Sequence, residues 1–103
     1  SSTGGDMDIP EHDRQIVEEA GFEWVEPITV ENGYITGVVR NVSGETKVGN
    51  IKFLLYDSTG CQISSAFDML SDIADGNSWR FKAAIIDVDN SVSTYELISF
   101  TTN

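Results

Sequence analysis

Short apolar stretches of period two recur along this chain, each closed by a turn-forming cluster, and that pattern constrains the fold more than any other feature. Ile51, Phe53 and Leu55 alternate while Leu54 and Tyr56 fill the other side. Trp79, Phe81 and Ala83 likewise alternate with Arg80, Lys82 and Ala84. Successive side chains of a strand point to opposite faces, so each stretch presents one apolar face that must be covered. Without an amphipathic helix of useful length, the cover is a second sheet.

The punctuation supports this. Asn32-Gly33 readily takes positive φ and reverses the segment around Ile28 and Val30 into a strand over 34–42, a hairpin. After a polar loop to Gly49 and the strand through Phe53, Asp57-Ser58-Thr59-Gly60 closes a turn. Asp57 is placed to accept a backbone N–H two residues on, and Gly60 to take the left-handed conformation. The chain returns over 61–67. Residues 68–76, mixing Met69, Leu70 and Ile73 with Ser, Asp and Gly, read as a connection crossing between sheets. Strands over 78–86 and 92–101 follow, the last with Tyr95 and Leu97 on one face against Glu96, Ile98 and Phe100 on the other. The expected architecture is an all-β antiparallel sandwich of about seven strands.

With 103 residues there is room for one core only. Residues 1–15, rich in Ser, Thr, Gly and Asp, read as a flexible acidic linker without a hydrophobic signal segment, and 16–103 as the domain. Residues 10–20 admit two readings. One is a short helix with Pro10 in its first turn and Gly21 as its stop. The other, preferred, is a strand in which Ile16, Ala20, Phe22 and Trp24 share a face, with Glu18 as the mismatch and a bulge at Gly21.

Seventeen acidic against six basic residues leave a net charge of -11, which disfavours nucleic acid and anionic lipid headgroups as partners. The excess is uneven, with nine acids against Arg14 alone in residues 1–31 and eight against five bases in the remainder. Surplus carboxylates of this kind also keep a protein hydrated in a high-salt environment. The longest apolar run, residues 53–56, is far too short to span a bilayer. A single cysteine, Cys61, excludes an internal disulfide, and it reads as a small half-buried strand residue. A thiol nucleophile needs a base beside it, and the single histidine, His12, lies in the polar N-terminal arm. No enzyme activity and no cofactor are expected.

Phe53-Leu54-Leu55-Tyr56-Asp57 reads F-x-L-Y-D, and here the sequence resembles the FxLYD domain family, small immunoglobulin-like β-sandwich modules of prokaryotic exported proteins and lipoproteins. Gly37-Val38-Val39-Arg40-Asn41-Val42-Ser43 is similar to that family's G-x-V-x-N-x-S strand end. Gly60 fits the turn after the motif, and Gly76-Asn77-Ser78 with Phe81 resembles its G-x-S-x-x-F strand opening. Asp75 stands where the family often has proline. The resemblance covers about residues 16–101 and implies an extracytoplasmic, exported or surface-anchored domain. Its motif residues, Phe53, Leu55, Tyr56, Asp57 and Gly60, are core and turn positions, and it implies no catalytic group.

The expected function is therefore a non-catalytic extracytoplasmic binding module on an N-terminal tether, meeting a protein or other ligand through loops or an edge strand. Homodimerisation by the same edge is a secondary expectation. The alternative is a divalent-cation domain, because Asp87, Asp89 and Asn90 place oxygens at alternate positions as a calcium loop would. Asp6, Asp8, Glu11 and Asp13 form a second acidic group. Trp24 and Trp79 are read as core anchors or, alternatively, as exposed recognition aromatics. Asn41-Val42-Ser43 is formally a glycosylation sequon, although both polar residues also suit the end of a strand.

Overall fold

A computed structural model describes residues 9–86 and 92–102. Among them are one helix, α1 (Glu11–Glu19), and six strands. These are β1 (Phe22–Glu31), β2 (Tyr34–Asn41), β3 (Lys47–Tyr56), β4 (Gln62–Ile73), β5 (Ser78–Ala84) and β6 (Thr94–Thr102). They form two three-stranded antiparallel sheets, ordered β1-β2-β5 and β4-β3-β6. The protein is an all-β sandwich.

The strand preferred before Gly21 is a helix, and the reason lies in its spacing. Val17, fully buried, is the residue that reaches the core, with Ile16 and Ala20 packed beside it, so the apolar set recurs at helical intervals and not at every second residue. Pro10 opens the helix in extended geometry with φ -56° and ψ 145°, and Arg14 N–H donates to the Pro10 carbonyl at 3.0 Å. Glu11 and Asp13 sit in the first turn, where the helix dipole favours negative charge. Gly21 ends it at φ +88°. With Ile9 buried against the core as well, residues 9–15 are part of the domain and not of a linker.

The two turns read from sequence form as expected. Asn32 and Gly33 both take positive φ, 51° and 80°, which suits the twist of the hairpin they close. The Asp57 carboxylate accepts the Thr59 N–H at 2.8 Å and the Cys61 N–H at 3.1 Å, and Gly60 has φ +90°. Two features of the sheets depart from simple alternation. In β6 the register with β3 slips between Lys52 and Phe53, so Leu97 and Phe100, expected on opposite faces, are both buried around a bulge at Ile98. And β4 keeps pairing with β3 as far as Ile73, which confines the sheet-crossing connection to 74–77 rather than 68–76.

The core between the sheets is a connected set of aromatic rings. Phe81 of β5 lies 5.9 Å from Phe53 of β3, 5.9 Å from Trp24 and 6.0 Å from Trp79, and Phe100 joins Trp79 at 5.9 Å to Phe22 at 5.1 Å. Most of these contacts are edge-on or tilted, the arrangement ring quadrupoles favour. Backbone must come close for such rings to fit. A Cβ added to Gly37 would stand 2.6 Å from the Phe81 ring, and one on Gly49 2.6 Å from the Trp79 ring.

Among the described residues one polar side chain is fully buried, Asn41 at the end of β2. Its amide nitrogen donates to the carbonyls of Glu45 at 2.6 Å and Ile73 at 2.8 Å, while its oxygen accepts from Ser43 N–H at 2.9 Å and Ser43 Oγ at 2.7 Å. Its backbone binds Asn77 and Gly76. The sequon reading is thereby explained away: both amide hydrogens are engaged inside the protein, so no glycan can be attached in the folded state. Asn41→Ala is expected to lower stability in urea unfolding by about 2 kcal/mol or more, because it strands buried partners at each contact.

Candidate functional site

Phe53 and Leu55 are fully buried between the sheets, as the alternation required. Tyr56 points the other way, and its hydroxyl donates to Glu96 Oε1 at 2.7 Å. That hydrogen bond, with some burial and the charge of Glu96, holds the phenol above its ordinary value. Asp57 is held below the ordinary carboxylate range, first by the Thr59 hydroxyl and then by the backbone N–H groups of the turn. These residues build the sandwich and its turn; they do not converge on a pocket.

Trp24 and Trp79 are 7% and 4% exposed, so neither is a recognition platform. Trp24 Nε1–H donates to the Asp13 carbonyl at 3.3 Å, tying α1 to β1. Asp87, Asp89 and Asn90, together with Asp6 and Asp8, lie outside the described residues. Among the described residues no group of three or more His, Cys, Asp or Glu gathers as a metal site. Cys61, expected half-buried, is exposed, because it follows the turn and precedes β4 instead of lying within a strand. His12 Nδ1 lies 3.2 Å from Asp13. No helix among the described residues is long and apolar enough to cross a membrane.

A cleft of about 380 Å³ lies where α1 meets β6, lined by Ile9, Asp13, Ile28 and Tyr95 among others. Burial, with the charge of Asp13, holds the Tyr95 phenol above its ordinary value. Among the described residues no buried side-chain polar atom lacks a partner.

The outer faces and the edges of the sheets differ much more. On the outer face of β1-β2-β5, Arg40 pairs with Glu23, Arg80 with Glu26 at 3.4 Å, and the Lys82 ammonium sits 4.4 Å over the Tyr34 ring. Such pairs add little stability but keep the face polar. On β4 the outward side chains include Ile63, Phe67 and Met69, with Phe67 68% and Met69 56% exposed.

An unpaired strand edge invites another strand unless something blocks it. β1 is interrupted by two register shifts, contains Pro27 and is packed by α1. β6 carries the bulge at Ile98. β5 has its Lys82 N–H taken by Asp68 Oδ2 at 2.8 Å. β4 pairs residue for residue with β3 from Ser64 to Leu70, between register shifts at either end, and its backbone pairs with no second strand among the described residues. This border, with its exposed Phe67 and Met69, is the candidate functional site.

Sequence reasoning missed it by treating 68–76 as a connection. The available signal was that Ser65, Phe67 and Met69 continue the alternation begun at Ile63, with no proline, lysine or arginine to interrupt it. No protein family, curated protein or solved structure matches the chain.

Two measurements check this assignment of roles. Iodide is expected to quench the tryptophan fluorescence only weakly until the chain is unfolded; efficient quenching of the native protein would contradict the burial of both indoles. Because the Asp57 carboxyl is held below its ordinary value on folding, its contribution to stability is present above the ordinary value of 3.8 and is lost as pH falls through the lower folded value. In pH-dependent thermal unfolding, wild type is expected to exceed Asp57→Ala at neutral pH and to lose that margin below 3.8.

Proposed function

We propose that this domain is a non-catalytic interaction module whose partner adds a strand along β4. The observation that carries the reading is a combination found on one edge: β1 and β6 are bulged within their pairing and β5 has its Lys82 N–H capped by Asp68, whereas β4 joins an unshifted run, Ser64 to Leu70, to exposed Phe67 and Met69 on its outer face. Strand addition draws its affinity from main-chain hydrogen bonds and its specificity from alternate side chains, and β4 supplies both. The likeness to FxLYD modules at residues 37–43 and 53–57 supports placing this activity outside the cytoplasm, on an exported or surface-anchored protein.

The reading is tested by amide chemical-shift mapping with end-blocked ten-residue peptides of high β-propensity. Shifts are expected to cluster on residues 62–72, and Phe67→Lys is expected to weaken binding at least about tenfold while leaving thermal stability nearly unchanged, as for most surface substitutions. Shifts clustered on α1 or on the Asn32-Gly33 hairpin would place the interface elsewhere.

A further inference from the structure

We infer that the cleft beside α1 and a second hollow next to it form one site for a small organic cation with an apolar body, its ammonium group held by Asp13 and Tyr95 and its hydrocarbon part seated against Val30 and Ile85. The second hollow, of about 400 Å³, is lined by Val30, Gly33, Ile85, Val92, Thr94 and Tyr95 among others. Tyr95 is a wall of both cavities, so the two adjoin at that residue. Each has a volume within the roughly 300 to 1,000 Å³ of small-molecule sites. Their linings differ in kind. The cleft at α1 combines Ile9, Ile28 and Leu97 with the carboxylate of Asp13, whereas Val30, Ile85 and Val92 make the second hollow apolar, and among the described residues nothing charged lines it. The site draws on α1, β1 and β6 and not on β4, so it is independent of the strand docking proposed above.

The chemistry of the walls selects a cation. Asp13 is fixed by the Trp24 Nε1–H, which donates to its carbonyl at 3.3 Å, and its side chain is only 15% exposed, so the cleft holds a carboxylate largely withdrawn from water. Tyr95 is anchored edge-on to Phe53 at 6.0 Å yet remains partly exposed, and no group among the described residues bonds its hydroxyl. A carboxylate beside an aromatic ring is the pairing that recognises alkylammonium groups, the one through its charge and the other through its quadrupole. The two do sense each other, since the charge of Asp13 adds to burial in holding the phenol above its ordinary value. Among the described residues no lysine or arginine lines either cavity, which leaves an anion without a partner there. A calcium ion is no better served: Glu96, the other acid of the cleft, already accepts the Tyr56 hydroxyl, and one carboxylate falls far short of the roughly six to eight oxygens that ion takes.

The probes are hexylammonium, hexanol and hexanoate, which share a hydrocarbon chain and differ in charge, each titrated into the intact chain and followed by amide chemical shifts. Hexylammonium is expected to move the signals of residues 9–13, 28–33 and 92–97 and to bind at least about fivefold tighter than hexanol, with hexanoate weakest. Asp13→Asn keeps the main-chain carbonyl that Trp24 uses, and it is expected to abolish the preference for the ammonium while leaving the affinity for hexanol unchanged. Glu18→Gln removes the same charge from an exposed position of α1 and is expected to keep the preference. Equal binding of the three probes, no binding of any, or shifts confined to other residues would overturn the inference on the wild-type protein alone. Equal loss of the preference in both variants would assign it to the overall charge of -11 and overturn the site. Each of these results leaves the reading of β4 where it stands, because that reading is tested by shifts on residues 62–72.

Discussion

Phe53 and Phe81 meet across the gap between the sheets at 5.9 Å, and most of the architecture is arranged to let them. Phe81 also touches Trp24 and Trp79, so one ring links β1, β3 and β5. Burying rings of this size contributes on the order of 2 to 3 kcal/mol for each. The arrangement dictates residues that are themselves featureless. Gly37 and Gly49 are glycine because the rings of Phe81 and Trp79 occupy the space a methyl group would need.

What could be read in the residues was what is local. The Asn32-Gly33 reversal, the Asp57 turn and the faces of β5 follow from properties of neighbouring residues, and each formed where its side chains demanded. What could not be read depends on partners distant in the chain. Phe100 reaches the core only because β6 slips by one residue against β3. Val17 outweighs the even-numbered alternation only because a helix, framed by Pro10 and Gly21, lays it on the core. Asn41 looked like a turn residue, yet its amide joins segments thirty-two positions apart.

Edge status is the most distant property of all, since a strand is a border only by virtue of where every other strand has gone. That is why the candidate site was the least legible part. Asp68 illustrates the point: in sequence it is one acid in a mixed stretch, whereas in the fold it caps the backbone of β5 from the neighbouring sheet. The interior-facing side of β4 thus protects the edge of another strand.

The hydrogen bonds of Asn41 also give the sandwich a polarity. At its pole, the loop at Ser43 to Glu45 and the crossing at 74–77 are fastened to one amide and to each other, with Asp75 holding the Gly44 N–H at 2.9 Å. At the opposite pole, around the Asn32-Gly33 hairpin, the Ile85 N–H donates to the Gly33 carbonyl at 2.8 Å. The two sheets are therefore leaves bound along a spine at Asn41, and any change that frees this amide loosens the loop and the crossing together.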